Sequence, residues 1–315
     1  MPSAPPRGPA GPSRRTMATG RVASGQSEAV MPRKPSGAVR VAILPQTVAF
    51  YTERLGFRLL ERDEAGDRAV LDGYGYPLLF AGPAAGDLSA HLAHPGRIVA
   101  RGAVLHHSGD ASGETPTGLA AKLARAGLDP DHHETWYGSI TVTVRDPDGY
   151  TVSFWFSPRL NREQVRELYA LGLDALDDAL FGLPEAHLDL ARAPGKWSIR
   201  QIVHHLVDSE ATALARAIFA LAEPDRFLHP NLYDPDHWAE SLDYAGRGTG
   251  PGLALFRAVR EHLLQLVDHL PGAWERGWVG PAGPGPRVGK SLEMLAIHAF
   301  GHIDQILETR RVHGL

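Results

Sequence analysis

Residues 198–222 read SIRQIVHHLVDSEATALARAIFALA. Apolar side chains stand at Ile199, Ile202, Val203, Leu206, Ala213, Leu214, Ala217 and Leu221. That spacing puts them on one stripe of an α-helix, and Ser198 stands at the N-cap position. The same period recurs on both sides. One stripe over 162–182 carries Val165, Leu168, Tyr169, Leu176 and Leu180. Another over 250–270 carries Phe256, Val259, Leu263, Leu266 and Leu270, and a fourth over 291–312 carries Leu292, Leu295, Ala299, Ile303 and Ile306. Ser291 is expected to cap the last one. Four amphipathic helices of this length predict an all-α four-helix bundle over 158–315. The long connection 223–249 is expected to pack across one end.

The bundle carries a histidine pattern. His298 and His302 are four residues apart on the last helix and share a face. On a helical wheel both lie on one flank of the stripe, His302 about 60° and His298 about 100° from its centre. On the second helix His205 lies about 100° from the stripe centre and His204 about 160°, so His204 is expected to face solvent. Three neutral imidazoles with one open position form the donor set of a catalytic metal site. The competing reading is surface histidine on two helices. Imidazole suits zinc, and nickel, iron and copper as well. Of the nearby polar residues, Asp208 is expected near the solvent side. Glu210 falls near the stripe centre and needs a buried partner, a ligand histidine or an arginine. Arg200 reads as a surface arginine, with holding a ligand carboxylate as the alternative.

GKWSIRQIVHHLVDSE (195–210), YDPDHWAE (233–240) and HAFGHIDQI (298–306) resemble, in order, the DinB-like metal-binding bundle. They are most similar to its branch of bacillithiol S-transferases, also described as metal-dependent hydrolases. The resemblance implies one divalent metal ion per chain on His205, His298 and His302, with His204 the alternative at the doubled position. It implies transfer of a low-molecular-weight thiol to an electrophilic small molecule. The chain has no cysteine, so the thiol must come from a cosubstrate. Two alternatives stand beside this: a metal-dependent hydrolase, and a non-catalytic, metal-containing protein that binds drugs or toxins. The sequence alone assigns no catalytic side chain.

Residues 38–157 read differently. Strands are expected over Val39–Leu44, Arg68–Leu71, Pro77–Phe80 and Val99–His106. Helices are expected from Val48 to the stop at Gly56, and over Thr117–Ala126 before Gly127. Ile140–Val144 and Thr151–Phe156 flank a hairpin turn at Asp146-Pro147-Asp148-Gly149. The repeated order indicates an internal duplication. VAFYTERLGF (48–57) and TVTVRDPDGYTVSFW (141–155) resemble the two halves of a glyoxalase/bleomycin-resistance domain, a pair of βαβββ modules. Metal-dependent members of that family place a carboxylate on the last strand, where this chain has Ser153. The resemblance therefore implies a ligand-binding module without metal ligands. His106-His107 and His132-His133 are expected to be surface or loop residues, since strand neighbours point to opposite faces.

The chain is thus expected to be α+β and then all-α. Its 315 residues include 32 Lys plus Arg, 36 Asp plus Glu and 16 His, for a net charge of −4. That balance gives no drive toward nucleic acid or anionic membrane. Residues 1–37 hold seven Pro, five Gly and six basic residues against Glu28 alone, which predicts a disordered tail. Met17 and Met31 are candidate true starts. Neither a secretory signal nor a membrane span is legible, so a cytoplasmic location is expected. Both family resemblances imply a homodimer. A binding module fused to a transferase module implies detoxification or antibiotic resistance.

Overall fold

A computed structural model describes residues 35, 37–92, 98–99, 101–229, 233–281 and 283–315. The tail, with Met17 or Met31 as its start, lies outside the described residues.

The first region runs β1 (Ala38–Arg40), α1 (Leu44–Ala49, widened into a π turn over Phe50–Arg54), β2 (Arg58–Asp63), β3 (Arg68–Asp72), β4 (Pro77–Ala81) and β5 (Ile98–Val99). It continues with β6 (Val104–Ser108), α2 (Pro116–Arg125), β7 (Asp131–Glu134), β8 (Ile140–Arg145) and β9 (Thr151–Phe156). One sheet has the order β2-β3-β4-β1-β5 and the other β6-β9-β8-β7. In each, the module's first strand pairs parallel with its last and the strands between form an antiparallel meander, while β5 adds a second parallel partner to β1 in the first sheet. The duplication is therefore real at the level of topology.

Three sequence expectations are corrected here. The strand expected over Val39–Leu44 ends at Arg40, because Pro45 opens α1; a first-turn proline gives up no helical hydrogen bond. The strand expected over Val99–His106 is broken between β5 and β6, where Gly102 has φ +79°. β2 and β7 have no counterpart in the sequence reading. Both are edge strands with exposed, largely charged or polar side chains, so they show no apolar alternation.

The two family-like motifs hold each other. Tyr51 Oη donates to Asp146 Oδ2 at 2.8 Å in the buried core. Asp146 Oδ1 accepts from the backbone of Tyr150 and Asp148 and fixes the hairpin. Asp148 reaches back to the start of α1, accepting from Ala42 N at 2.6 Å and Thr47 Oγ1 at 2.9 Å.

The second region contains α3 (Arg162–Leu180), α4 (Ile199–Ala222), α5 (Pro235–Ser241), α6 (Gly250–His269) and α7 (Val288–His313). A short ribbon of β10 (Val279–Gly280) and β11 (Gly283–Pro284) precedes α7. α3 packs on α6 and α7, and so does α4, which makes the four-helix bundle. Asn161 with Gln164, and Ser198 with Gln201, form reciprocal capping boxes that start α3 and α4. Ser291 is not an N-cap. It lies inside α7, whose N-cap residue is Arg287. The connection 223–249 carries α5, capped by Asp234.

The two regions meet on α7. The Trp136 ring lies edge-on to Phe300 at 4.8 Å, and Tyr137 is buried in the bundle's core cluster. Phe300 stands between His298 and His302 in sequence, so this contact lies beside the histidines.

Candidate metal centre

The capping box fixes where α4 begins, and seven residues on it presents His205. From α7 come His298 and His302, one turn apart. His205 Nε2 and His298 Nε2 are 3.1 Å apart. The three ring centroids are separated by 5.0, 4.8 and 4.7 Å. One nitrogen from each ring falls within 4.8 Å of the others. This is the one such cluster of His, Cys, Asp or Glu among the described residues. His205 is buried, and the α7 pair is half-buried.

Neighbouring groups orient the rings. Gln305 Oε1 can only accept, so the His302 Nδ1 facing it at 3.3 Å carries the proton and Nε2 stays free. Arg192 Nη1 donates to the same oxygen at 3.1 Å and holds it in place. The Trp197 ring lies 4.8 Å from His205 and stacks at 6.2 Å on His302. Burial pushes the His205 pKa down to about 3, with the His302 charge acting the same way. Burial lowers His302 to about 4, and holds His298 well below the usual imidazole range. The rings are therefore neutral at pH 7, which is the ligating form.

A divalent cation fits this donor set. Two Nε2 atoms facing each other at 3.1 Å hold at most one proton between them. The His205 Nδ1 is buried without a partner. A cation among the three rings would turn the crowded nitrogens from mutually repelling lone pairs into ligands.

Behind the cluster lies a buried ion pair. Arg260, 0% exposed, donates to Glu210 Oε1 from Nε at 2.8 Å and Nη2 at 2.6 Å. Tyr169 Oη donates to Glu210 Oε2 at 2.7 Å, and Arg260 Nη1 donates to the Tyr169 carbonyl. The partner expected for Glu210 is thus this arginine and not a ligand histidine. Gly172 on α3 makes room for it, since a Cβ there would stand 2.2 Å from Arg260 Nη1.

Other candidate residues have different roles. His204 does not face solvent. It is 4% exposed, packed on Tyr244, with Nε2 3.3 Å from the Arg247 carbonyl, because the connection 223–249 folds over that side of α4. Arg200 is not a surface arginine. It is buried and paired with Glu185 at 2.5 Å and Asp189 at 2.7 Å. Asp208 accepts from Tyr244 Oη at 2.5 Å. In the first region His106, His132 and His133 are exposed, but His107 is 2% exposed against Phe57 and Phe154. Ser153 is buried and faces His106 across the β6–β9 pair.

A cleft of about 260 Å³ opens from His298 between α4 and α7. Its α4 wall includes Ser209, Ala213, Arg216 and Ala217, and Tyr233 and Trp278 close it from the connections. Sequence reasoning passed over Trp197, Gln305, Arg260 and Arg216. Arg260 did leave a signal, since it lies four residues after Phe256 and three before Leu263 on an otherwise apolar stripe.

The comparisons with known proteins agree with this division. The model of the DinB superfamily matches residues 168–306. That of the glyoxalase/bleomycin resistance protein/dioxygenase superfamily matches residues 36–154. A protein of Oceanobacillus iheyensis named "Putative metal-dependent hydrolase" is 30% identical over 132 residues, 42% of this chain and 75% of the relative. One of the same name from Bacillus cereus is 37% identical over 137 residues, 43% of this chain and 78% of the relative. The solved structure of YfiT from Bacillus subtilis, described as an unusual four-helix bundle, aligns at 24% identity with TM-score 0.45, over 50% of this chain and 93% of its own. No described helix is long and apolar enough to cross a membrane. The chain belongs to the DinB superfamily, with a glyoxalase/bleomycin-resistance region ahead of its bundle.

Proposed function

We propose that the protein is a metal-dependent transferase that joins a low-molecular-weight thiol, of the bacillithiol type, to electrophilic small molecules. His205, His298 and His302 hold one divalent ion, which we take as zinc, with nickel or iron as the alternatives an all-imidazole donor set also suits. Bound there, the ion supplies Lewis acidity and favours the deprotonated form of the small nucleophile in its open position.

The observation that carries this reading is a triad of neutral imidazoles beside a cleft whose described lining includes no carboxylate. A water nucleophile works best with a base in reach. Glu210 is committed to Arg260 and Tyr169, and Asp208 to Tyr244. A thiol needs only to lose its own proton. Within the protein, Gln305 fixes the His302 tautomer and Trp197 walls off two of the rings. Tyr233 Oη, 2.8 Å from Ser209 Oγ, is kept protonated by burial and can donate a hydrogen bond into the cleft. The glyoxalase-like region is read as a binding module for the electrophile, in detoxification or antibiotic resistance.

The names of the relatives favour a second reading, hydrolysis. Elemental analysis of the purified chain and of His205→Ala, His298→Ala and His302→Ala comes first. About one ion per chain, lost in each variant, is expected. Turnover of a bimane electrophile with added thiols, against that of nitrophenyl esters without them, then separates transfer from hydrolysis. Absence of both activities in the metal-loaded chain leaves a binding protein.

A further inference from the structure

The cleft beside His298 holds a charge that no described acidic residue balances. Arg216 is half-buried in the cleft wall and makes no ion pair, hydrogen bond or ring contact among the described residues. Every other described arginine of the bundle that is buried or half-buried has a partner: Arg200 and Arg260 have carboxylates, as do Arg192 and Arg257, and Arg276 and Arg310 donate to backbone carbonyls. A guanidinium stays charged at any pH a protein meets, and a partly desolvated cation without a counter-charge is costly. The cleft's described lining includes neither Asp nor Glu, and Arg216 is its one charged side chain.

Its position on α4 matters. Arg216 stands eleven residues after His205. At 100° per residue the two share a face, and at 1.5 Å per residue they are about 16 Å apart along the axis. Between them α4 presents small residues, Ser209, Thr212 and Ala213, and it is these that leave the space open. Met294 and Leu295 of α7 and Trp278 supply an apolar wall. The cleft thus has His298 toward one end and Arg216 about three turns of α4 away from the histidines, with a largely apolar wall between them and the lining running one turn further to Ala220.

We propose that Arg216 is the recognition residue for an anionic group, a carboxylate, sulfonate or phosphate, on an elongated and otherwise apolar small molecule bound in this cleft. The proposal rests on the enzyme reading for what reacts at the histidine end, but not for the anion at the other. Guanidinium pairs with such oxyanions through two parallel hydrogen bonds, and a half-desolvated wall strengthens them.

The test uses the full, metal-loaded chain and two fluorescent probes that differ by one group, 1-anilinonaphthalene-8-sulfonate and the neutral N-phenyl-1-naphthylamine. A sulfonate is a poor metal ligand, so its contribution reads the arginine. The anionic probe is expected to bind about tenfold more tightly than the neutral one, with affinity falling as salt rises. Arg216→Gln should remove that preference and leave the neutral probe unchanged, and Arg216→Lys should keep part of it. Should the Gln variant not fold, Arg216→Met, which keeps the apolar stem, carries the same expectation. Equal binding of both probes by the unaltered chain, or a preference that survives in Arg216→Gln, overturns the proposal. His302→Ala separates the two readings, since it should abolish turnover and keep the probe preference. Turnover without the preference removes the anion site alone, and the preference without turnover removes the enzyme reading alone.

Discussion

Arg260 Nη2 lies 2.6 Å from Glu210 Oε1, and the two side chains are 0% and 2% exposed. The pair joins α6 to α4, five residues beyond His205. Removing one partner leaves the other charged and buried, which costs about 3–5 kcal/mol. Arg260→Met should therefore lower the unfolding midpoint by about 10 °C or more. Glu210→Met with Arg260→Met should recover much of that loss, because neither charge then remains. Thermal and urea unfolding of the two singles and the double check this. Near-additive effects would mean that the pair is not coupled as its geometry requires.

Gly172 belongs to the same packing. It is helical with no strained backbone, so its lack of a side chain is explained by the Arg260 guanidinium in its place. Gly172→Ala ordinarily favours a helix by about 1 kcal/mol. Here a Cβ 2.2 Å from Nη1 forces the arginine off Glu210 or the helices apart. Net destabilisation of about 1–3 kcal/mol is expected. It should largely vanish in an Arg260→Met background. Unfolding curves of the four proteins decide it.

Gln305 separates holding a metal from positioning one. It touches His302 but is not among the converging nitrogens. Gln305→Leu should leave one ion per chain and weaken its affinity about 10–100-fold. His302→Ala should lower the stoichiometry itself. Competition with a zinc-chelating dye at fixed pH measures both. Identical behaviour of the two variants would place Gln305 among the ligands instead.

The bundle was legible because its four stripes are long and regular. Ile199, Ile202, Leu206, Ala213 and Ala217 are all buried as the spacing requires. About 60° of wheel angle and the family resemblance both separate His205 from His204, and in the structure the rings of His205, His298 and His302 cluster. The same wheel misplaced His204, because periodicity describes one helix and says nothing of a connection folding over its far side. Arg200 was misread for that reason too, since its partners Glu185 and Asp189 come from a short turn with no period. Glu210 and Arg260 each lay on an apolar stripe, and two opposite charges on two stripes are the sequence trace of a buried ion pair. The edge strands β2 and β7 left no trace because their side chains face water.

Tyr51 and Asp146 offer a test of the first region. The hydrogen bond between them joins the helix of one module to the hairpin of the other. Tyr51→Phe keeps the ring among Phe57 and Phe80 and deletes only the donor. Asp146 retains its two backbone donors, so the loss should be about 1–2 kcal/mol. Asp146→Ala also frees the backbone of Tyr150 and Asp148 and should cost more. Loss of the first region's near-ultraviolet signal at lower denaturant than the bundle's helical signal would mark the event as local to that half.

His107 makes the region's stability depend on pH with a definite sign. Burial against Phe57 and Phe154 pushes its pKa from 6.5 down to about 4, and the ring Nε2 has no partner. Between pH 4 and pH 6.5 the unfolded chain binds a proton here and the folded chain does not. Stability therefore rises with pH across that window, and it is lost as pH falls below 6.5. Carried down to pH 4, the loss is about 3 kcal/mol. His107→Leu removes the titrating group and its share of the slope. His205, His298 and His302 add slopes of the same sign in the metal-free chain, so the informative quantity is the difference between unaltered and variant proteins. That difference should shift in favour of the variant as pH drops from 7 to 4.5, read from urea midpoints at each pH. A constant difference would mean that His107 titrates in the folded chain as it does in the unfolded one.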